Sequence, residues 1–299
     1  MSVIRWGIIG VGDVTEVKSG PAFQKAEGSA LVAVMRRDRA KAEDYARRHG
    51  VPRVHATADA LIADPDVDAV YIATPPSSHC DLALRVAAAS KPCLVEKPMA
   101  MNHVECVRMV DAFAAAGQPL WVAYYRRAQP RFLRIRELLS AGRLGRLTHV
   151  HARVTQLLAT GETTRDWHFD PAISGGGLIF DVGSHAIDLI DFYCGPVTSV
   201  QARSLNTGGT YAPDDLTVAT FGFAGPIAAS GVFNFNAFEK TDSLTFSGSD
   251  GELATPIFGD DDIVIRRKDG IERIAIARPA HVHQPLIQTI VDEIGRAHV

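Results

Sequence analysis

The sequence predicts an α/β protein in two parts: a doubly wound parallel sheet over residues 1–123, then an α+β region with a mostly antiparallel open sheet over 124–299. Three observations carry this. The 299 residues exceed what one hydrophobic core usually serves, so length alone divides the chain. Up to residue 123, short runs rich in Val and Ile alternate with longer stretches of helical period, the pattern of a sheet covered by helices on both faces. Beyond it the runs alternate apolar with polar and are joined by turn residues rather than helices.

In the first part the candidate strands are residues 6–9, 31–34, 69–73, 93–95 and 120–123. Between them, 40–49, 78–89 and 102–116 repeat apolar residues at three and four, as in Leu82, Val86 and Ala89. Gly117 stands where a helix end favours glycine. In the second part a basic helical stretch, 132–141, ends at Gly142. Alternating segments follow at 147–157, 197–205, 216–223, 227–235, 243–247, 263–267 and 273–277, with one helix, 184–193, after a glycine cluster. Residues 284–294 open an amphipathic helix that stops without a cap or an evident partner for its apolar face. The run 293–299 reads as a translated sequencing adapter, so a chain cut short there is expected.

Hydrophobic residues at 46% and charged residues at 22% suit a globular chain that offsets its ordering entropy by burial. The formal charge of −3, from 31 basic and 34 acidic side chains, exerts no general pull on nucleic acid or anionic lipid. No apolar run reaches the roughly 20 residues that span a bilayer. Neither nucleic acid nor membrane is expected as a partner, and the cytoplasm is the expected location. Cys80, Cys93, Cys106 and Cys194 form no Cys-x-x-Cys pair and read as reduced, mostly buried thiols.

Gly10-Val11-Gly12-Asp13-Val14-Thr15 sits where the first strand hands over to a helix. The first glycine permits a tight turn and the second lets backbone N–H groups approach a pyrophosphate, while Thr15 replaces the third. Alone, two glycines are a weak sign, since they recur in many strand-to-helix turns for steric reasons. Their place at the first such turn strengthens the nucleotide reading. At the end of the second strand, where an acidic residue would take the ribose hydroxyls of NAD, the chain has Met35-Arg36-Arg37. A guanidinium cannot accept from that hydroxyl but pairs with a 2′-phosphate, which favours NADP over NAD. The plain alternative is a solvated charged run continuing through Asp38 and Arg39.

The strand 93–95 runs into Glu96-Lys97-Pro98, at the sheet edge that opens into the ligand crevice of such folds. A lysine there can give a proton to a developing alkoxide or take one back, and Pro98 restricts its backbone. A surface Glu-Lys pair is the bland alternative. Further on, Gly175-Gly176-Gly177 precedes Asp181, His185 and Asp188. With Asp181 at or just before a helix start, Asp181 and His185 fall on one face, so the carboxylate can orient an imidazole towards a substrate oxygen. A metal on Asp181, His185 and Asp188 is the minor reading, and a structural histidine the plain one. The pairs His149 with His151 and His281 with His283 share strand-like faces, do not complete a zinc site, and are given no chemistry.

Gly10-x-Gly12, Glu96-Lys97-Pro98 and Gly175-Gly176-Gly177-x-x-x-Asp181-x-Gly183-x-His185-x-x-Asp188, at these separations, resemble the glucose–fructose oxidoreductase, inositol dehydrogenase and MocA-like family over nearly the whole chain. The resemblance implies an N-terminal Rossmann domain and a C-terminal open sheet used for oligomer contacts. It implies that Lys97, Asp181 and His185 form the proton-transfer group, that Thr74 and Pro75 border the nicotinamide half, and that Lys97-Pro98 is a cis bond. With the glycine turn and Arg36 and Arg37, the expected cofactor-binding set is completed by Thr74, Pro75, His79, Glu96 and Lys97. Lys97, Tyr125, Trp167, His168, Asp181 and His185 are the expected substrate contacts, with Tyr124, Arg126 and Arg127 as contributors to a polyol pocket. Tyr125 stands where relatives often carry Asn, and Trp167-His168 where they often carry Trp-Arg. Members usually continue some tens of residues beyond the position of Ile294.

The expectation is thus an enzyme, an NADP-preferring or NAD-using oxidoreductase. It would move a hydride between nicotinamide and a sugar, cyclitol, polyol or related ketone, as a homo-oligomer with a small-molecule substrate and no metal. A dinucleotide-retaining glycoside hydrolase or lyase, and a non-catalytic NADP redox sensor, are the alternatives.

Overall fold

A computed structural model describes residues 3–157 and 167–297. Two compact units make up the chain: Met1–Ala128 with Pro279–Val299, and Gln129–Arg278.

In the first unit, β1 (Ile4–Ile9), β2 (Ser29–Met35), β3 (Arg53–His55), β4 (Ala69–Ile72), β5 (Cys93–Val95) and β6 (Leu120–Val122) form a parallel sheet in the order 3-2-1-4-5-6. Covered on both faces, Ile8, Val34, Val70, Leu94 and Val95 expose nothing, which is why these strands read as continuous apolar runs. The helices are α1 (Asp13–Val17), α2 (Gly20–Lys25), α3 (Arg39–His49), α4 (Ala58–Ile62), α5 (His79–Ala88) and α6 (His103–Ala116). The charged run after β2 partly serves α3, whose first turn is capped by the Asp38 carboxylate accepting the Lys41 N–H. Asn102 does the same for α6, and Gly117 ends it in the left-handed region. The sequence reading lacked β3, α2 and α4 and gave the helix after the glycine turn, α1, no bounds, because elements of three to six residues with mixed polarity show no period.

The second unit holds α7 (Pro130–Ser140), β7 (Leu147–Leu157), α8 (Pro171–Ser174), α9 (Ser184–Cys194), β8 (Ser199–Leu205), β9 (Leu216–Gly222), β10 (Ala228–Asn234), β11 (Asn236–Gly248), β12 (Gly251–Thr255), β13 (Ile263–Arg267) and β14 (Gly270–Ile274). Its sheet runs 14-13-12-11-7-10-9-8, antiparallel except for the parallel pair of β10 with β7. Phe132 and Ile135 of α7 and Ala186, Leu189 and Ile190 of α9 share one core with Val150, Ala152, Phe221, Phe233 and Phe246 of the strands. His149 and His151 share the other face of β7, both beside Ser230 Oγ, at 3.1 and 2.8 Å. The last strand lies three residues earlier than the expected 273–277. The two-residue turn Lys268-Asp269 pairs Arg267 with Gly270 and so sets the register. β12 was not read from the sequence: Gly251 and Ala254 blur its alternation.

The chain closes with α10 (Gln284–Ala297). Its apolar face has a partner after all: Ile287, Ile290, Val291 and Ile294 join the first unit's core with Ile4, Trp6, Phe23 and Leu31. Trp121 Nε1 donates to Glu293 Oε2 at 3.0 Å, and the Glu27 N–H donates to Gln288 Oε1 at 2.8 Å. The division therefore differs from the expected 1–123 and 124–299, since residues 124–128 and 279–299 group with the first unit. The apolar stripe that needed covering was legible; the surface covering it lies more than two hundred residues upstream. Cys80 and Cys93 are buried, Cys106 and Cys194 half-buried, and none is in a disulfide. Among the described residues no helix is long and apolar enough to cross a membrane.

Ile290→Ala, at a side chain 1% exposed, should lower the unfolding free energy by about 2–5 kcal/mol in urea titrations. Val110→Ala, on the exposed side of α6, should change it by less than about 0.5 kcal/mol. Equal, small effects would contradict the docking of α10.

Candidate functional site

The strand order of the first unit reverses between β1 and β4, and in open α/β sheets the crevice outside the carboxyl ends at such a point takes the ligand. Gly10 follows β1 there with φ +97°, and a Cβ on it would lie 2.6 Å from Thr74 Cγ2 and 2.9 Å from the Thr74 nitrogen. Only glycine meets both demands. A Cβ on Gly12 would meet nothing nearer than the Gly10 oxygen at 4.0 Å, so the turn leaves open space on the side a pyrophosphate would need. Asp13 and Val14 follow in the first turn of α1. Thr15, in place of the third glycine, is fully buried; its hydroxyl accepts the Gly12 N–H at 2.9 Å and donates to the Gly12 oxygen at 2.8 Å. It closes the turn on itself instead of narrowing the helix–strand gap.

The Gly10 N–H donates to the Met35 oxygen at 2.8 Å, joining the ends of β1 and β2. Arg36 Nη1 donates to the Val11 oxygen at 3.0 Å, which holds this guanidinium along the glycine turn, while Arg37 is exposed. An open cradle bordered by an anchored cation fits a dinucleotide phosphate.

Across the crevice, Thr74 and Pro75 follow β4, and Thr74 Oγ1 accepts from Ser78 at 2.7 Å. His79 exposes nothing. Its ring nitrogens face the carbonyl oxygens of Thr74, at 2.6 Å, and Pro98, at 3.0 Å, so it braces two loops of the crevice from beneath. Burial pushes its pKa down, and a neutral ring donates to one of the two oxygens.

Glu96 and Lys97 follow β5, and Lys97-Pro98 is a cis peptide. Glu96 is 5% exposed; Lys97 is half-buried. The Glu96 carboxylate accepts from the Tyr71 hydroxyl and has His283 Nε2 at 3.1 Å, both on Oε1, while Oε2 accepts the Lys97 N–H at 3.1 Å. Burial pushes its pKa up. The hydrogen bond and charge of His283, the Lys97 charge and the Tyr71 bond outweigh that and bring it down to about 2. Burial and the neighbouring Glu96 charge push the Tyr71 hydroxyl well above its usual range. His283 lies not on a strand but in the turn leading to α10, and the Tyr125 ring packs against it, tilted by 36°, with centroids 4.3 Å apart. Tyr125 is itself 8% exposed, with the Arg126 guanidinium 4.8 Å from its ring centre. Sequence reasoning missed His283 as it had to: the residue is 187 positions from Glu96 and sits in no motif.

In the second unit, Asp181 lies in a π-helical turn, Ile179–Gly183, just ahead of α9, which starts at Ser184 and carries His185 and Asp188. Such turns often mark functional sites. His185 is 4% exposed and meets the Phe258 ring edge-on at 5.9 Å. His168 Nε2 lies 3.9 Å from Asp181 Oδ2, and the His168 ring stacks on Trp167 at 3.8 Å. Arg131 of α7 is buried, and its guanidinium donates to the carbonyl oxygens of Gly259, Asp260 and Ile276. Among the described residues no three His, Cys, Asp or Glu are grouped to hold a metal ion.

Residues 4–124 match the model of an oxidoreductase family with an NAD-binding Rossmann fold, and residues 132–254 match that of the GFO/IDH/MocA C-terminal domain. The chain is 39% identical to Oxidoreductase P35 of Formosa agariphila over 97% of its own length and 90% of that protein's. It is 26% identical to trans-1,2-dihydrobenzene-1,2-diol dehydrogenase of Bos taurus over 88% of its length and 78% of that protein's. Its fold is similar to that of an aldose–aldose oxidoreductase from Caulobacter crescentus, solved with glycerol, at a TM-score of 0.87 and 23% identity, covering 99% of this chain and 90% of the other.

The Glu96 carboxyl sits below its ordinary 4.5, so it adds stability that is complete above that pH and lost as pH falls towards about 2. Across this window the wild type should lose unfolding free energy relative to Glu96→Gln, measured by urea titration at each pH. Parallel acid profiles would show that this carboxylate is not held charged.

Proposed function

We propose, from the premise that the chain belongs to the GFO/IDH/MocA family of oxidoreductases, that it is an NADP-preferring dehydrogenase or reductase acting on a sugar, cyclitol, polyol or related ketone. The observation that carries this reading is the β5 end: a half-buried lysine, its backbone N–H held by a buried carboxylate, at the carboxyl edge of a sheet whose first turn is an open glycine cradle. When bound, a nicotinamide dinucleotide supplies or accepts the hydride. Gly10, Val11, Gly12, Asp13 and Val14 would receive its phosphates, and Thr74 and Pro75 would border its nicotinamide half. Lys97 Nζ carries the proton that the substrate oxygen gains or loses as the hydride moves, which keeps charge from building on that oxygen. Asp181 and His185 are assigned to orienting the substrate hydroxyl, and the Trp167–His168 stack offers a flat face to a ring.

Arg36 supports NADP, because a guanidinium anchored beside the glycine turn suits a 2′-phosphate and not a hydroxyl donor. The activities named for a relative, on a dihydrodiol, and for a structural neighbour, on aldoses, support a polyhydroxylated small molecule. The same reading makes the protein a cytoplasmic homo-oligomer joined through its second sheet.

The experiment is a panel of aldoses, cyclitols, polyols and ketones followed by nicotinamide absorbance with NADPH, NADH and their oxidised forms. Lys97→Met should lower kcat by about a hundredfold or more on the substrate found, with the dinucleotide Kd changed less than about threefold. Arg36→Asp should weaken NADPH at least about tenfold relative to NADH. Full turnover in Lys97→Met would overturn the lysine's role. Cleavage of a glycoside with no net absorbance change would point to a dinucleotide-retaining hydrolase instead, and tight binding without turnover to a redox sensor.

A further inference from the structure

The turn ahead of α10 brings an imidazole to the strand end that carries Lys97. His283 is 1% exposed on its side chain, and Glu96, its partner at 3.1 Å, is 6% exposed on its own. The turn is also fixed independently, since His281 Nδ1 lies 2.9 Å from the Val17 oxygen at the end of α1. Tyr125 covers the His283 ring on one side. Glu96 thus has partners on both oxygens: His283 and Tyr71 on Oε1, and the Lys97 N–H on Oε2. A buried carboxylate that loses a hydrogen-bond donor must find another or turn towards water, and either change alters what its far oxygen accepts.

We propose that His283 is a positioning residue for Lys97: it holds the Glu96 carboxylate turned so that its far oxygen takes the Lys97 N–H, and so fixes how the Lys97 side chain leaves the strand end. This rests on the reading that Lys97 carries the substrate proton, and adds to it a residue from the far end of the chain. His283 touches no reacting atom; its influence passes through Glu96. The held carboxylate, drawn down to about 2 by these partners, agrees with that role.

The test reads Lys97 itself and needs no substrate. Whole protein is treated briefly with an N-hydroxysuccinimide acetate, and acetylation of Lys97 is compared by peptide mass spectrometry with that of exposed Lys25 and Lys268. In His283→Leu and in Glu96→Gln the Lys97 ratio should change at least about threefold. The double variant should change it no further, because both act on one link. His283→Gln, which keeps a side-chain N–H donor, should restore most of the wild-type ratio. His281→Ala, which removes only the neighbouring anchor, should leave both the ratio and the NADPH Kd within about twofold. An unchanged ratio in Glu96→Gln and His283→Gln's failure to differ from His283→Leu would each overturn the proposal, as would additive effects in the double variant. If His283→Leu does not fold, Glu96→Gln and His283→Gln decide. An inactive Lys97→Met with an unchanged ratio in His283→Leu sinks this proposal alone; a fully active Lys97→Met sinks the proton-carrying reading and leaves the labelling result standing.

Discussion

A carboxylate taken almost wholly out of water must find its compensation atom by atom, and Glu96 finds it from three directions. Tyr71 comes from the neighbouring strand, the Lys97 N–H from the next residue, and His283 from a turn 187 positions away. That requirement ties the end of the chain to the centre of the first sheet. It also explains why α10 docks there: the helix buries four aliphatic side chains in the same core, and the turn ahead of it presents the imidazole. Packing and charge compensation are supplied by one segment, so neither is separable from the strand end that holds Lys97.

The glycine turn answers a steric demand of a different kind. Gly10 must adopt a positive φ and lie against Thr74, whereas Gly12 faces open space. The two glycines of a common motif therefore do different work, one for the fold and one for what approaches it. Arg36 adds the cation, held by the Val11 oxygen. Beneath the opposite wall, His79 joins the loops after β4 and β5 through their carbonyl oxygens. The crevice is shaped by backbone contacts, leaving Lys97 and Arg36 as the chemically distinctive groups along it.

Much of this was legible in the sequence, for physical reasons. Strands buried on both faces must be continuously apolar, and that alone places Gly10-x-Gly12 and Glu96-Lys97-Pro98 at strand ends. The short elements β3, α2 and α4 were not legible, because their mixed polar and apolar residues neither form an apolar run like β5 nor last long enough to show a period. The π-helical turn at Asp181 was read only as a helix start, since it carries no pattern of its own. His283 was set aside for want of a metal-ligand partner. Its partner is a carboxylate fixed by tertiary packing, which no local spacing encodes. Tyr125, expected among the substrate contacts, also packs its ring beside that imidazole, a contact no local pattern announces.

The central claim is that the nicotinamide of a bound dinucleotide lies against the Glu96-Lys97 strand end. The most direct measurement is the distance from Lys97 Nζ to nicotinamide C4 in crystals of the NADPH complex. The account predicts about 4–6 Å, room for one substrate carbon and its hydroxyl between ring and ammonium. A nicotinamide bound beyond about 10 Å from Lys97, or a dinucleotide lying away from the Gly10–Gly12 turn, would contradict it.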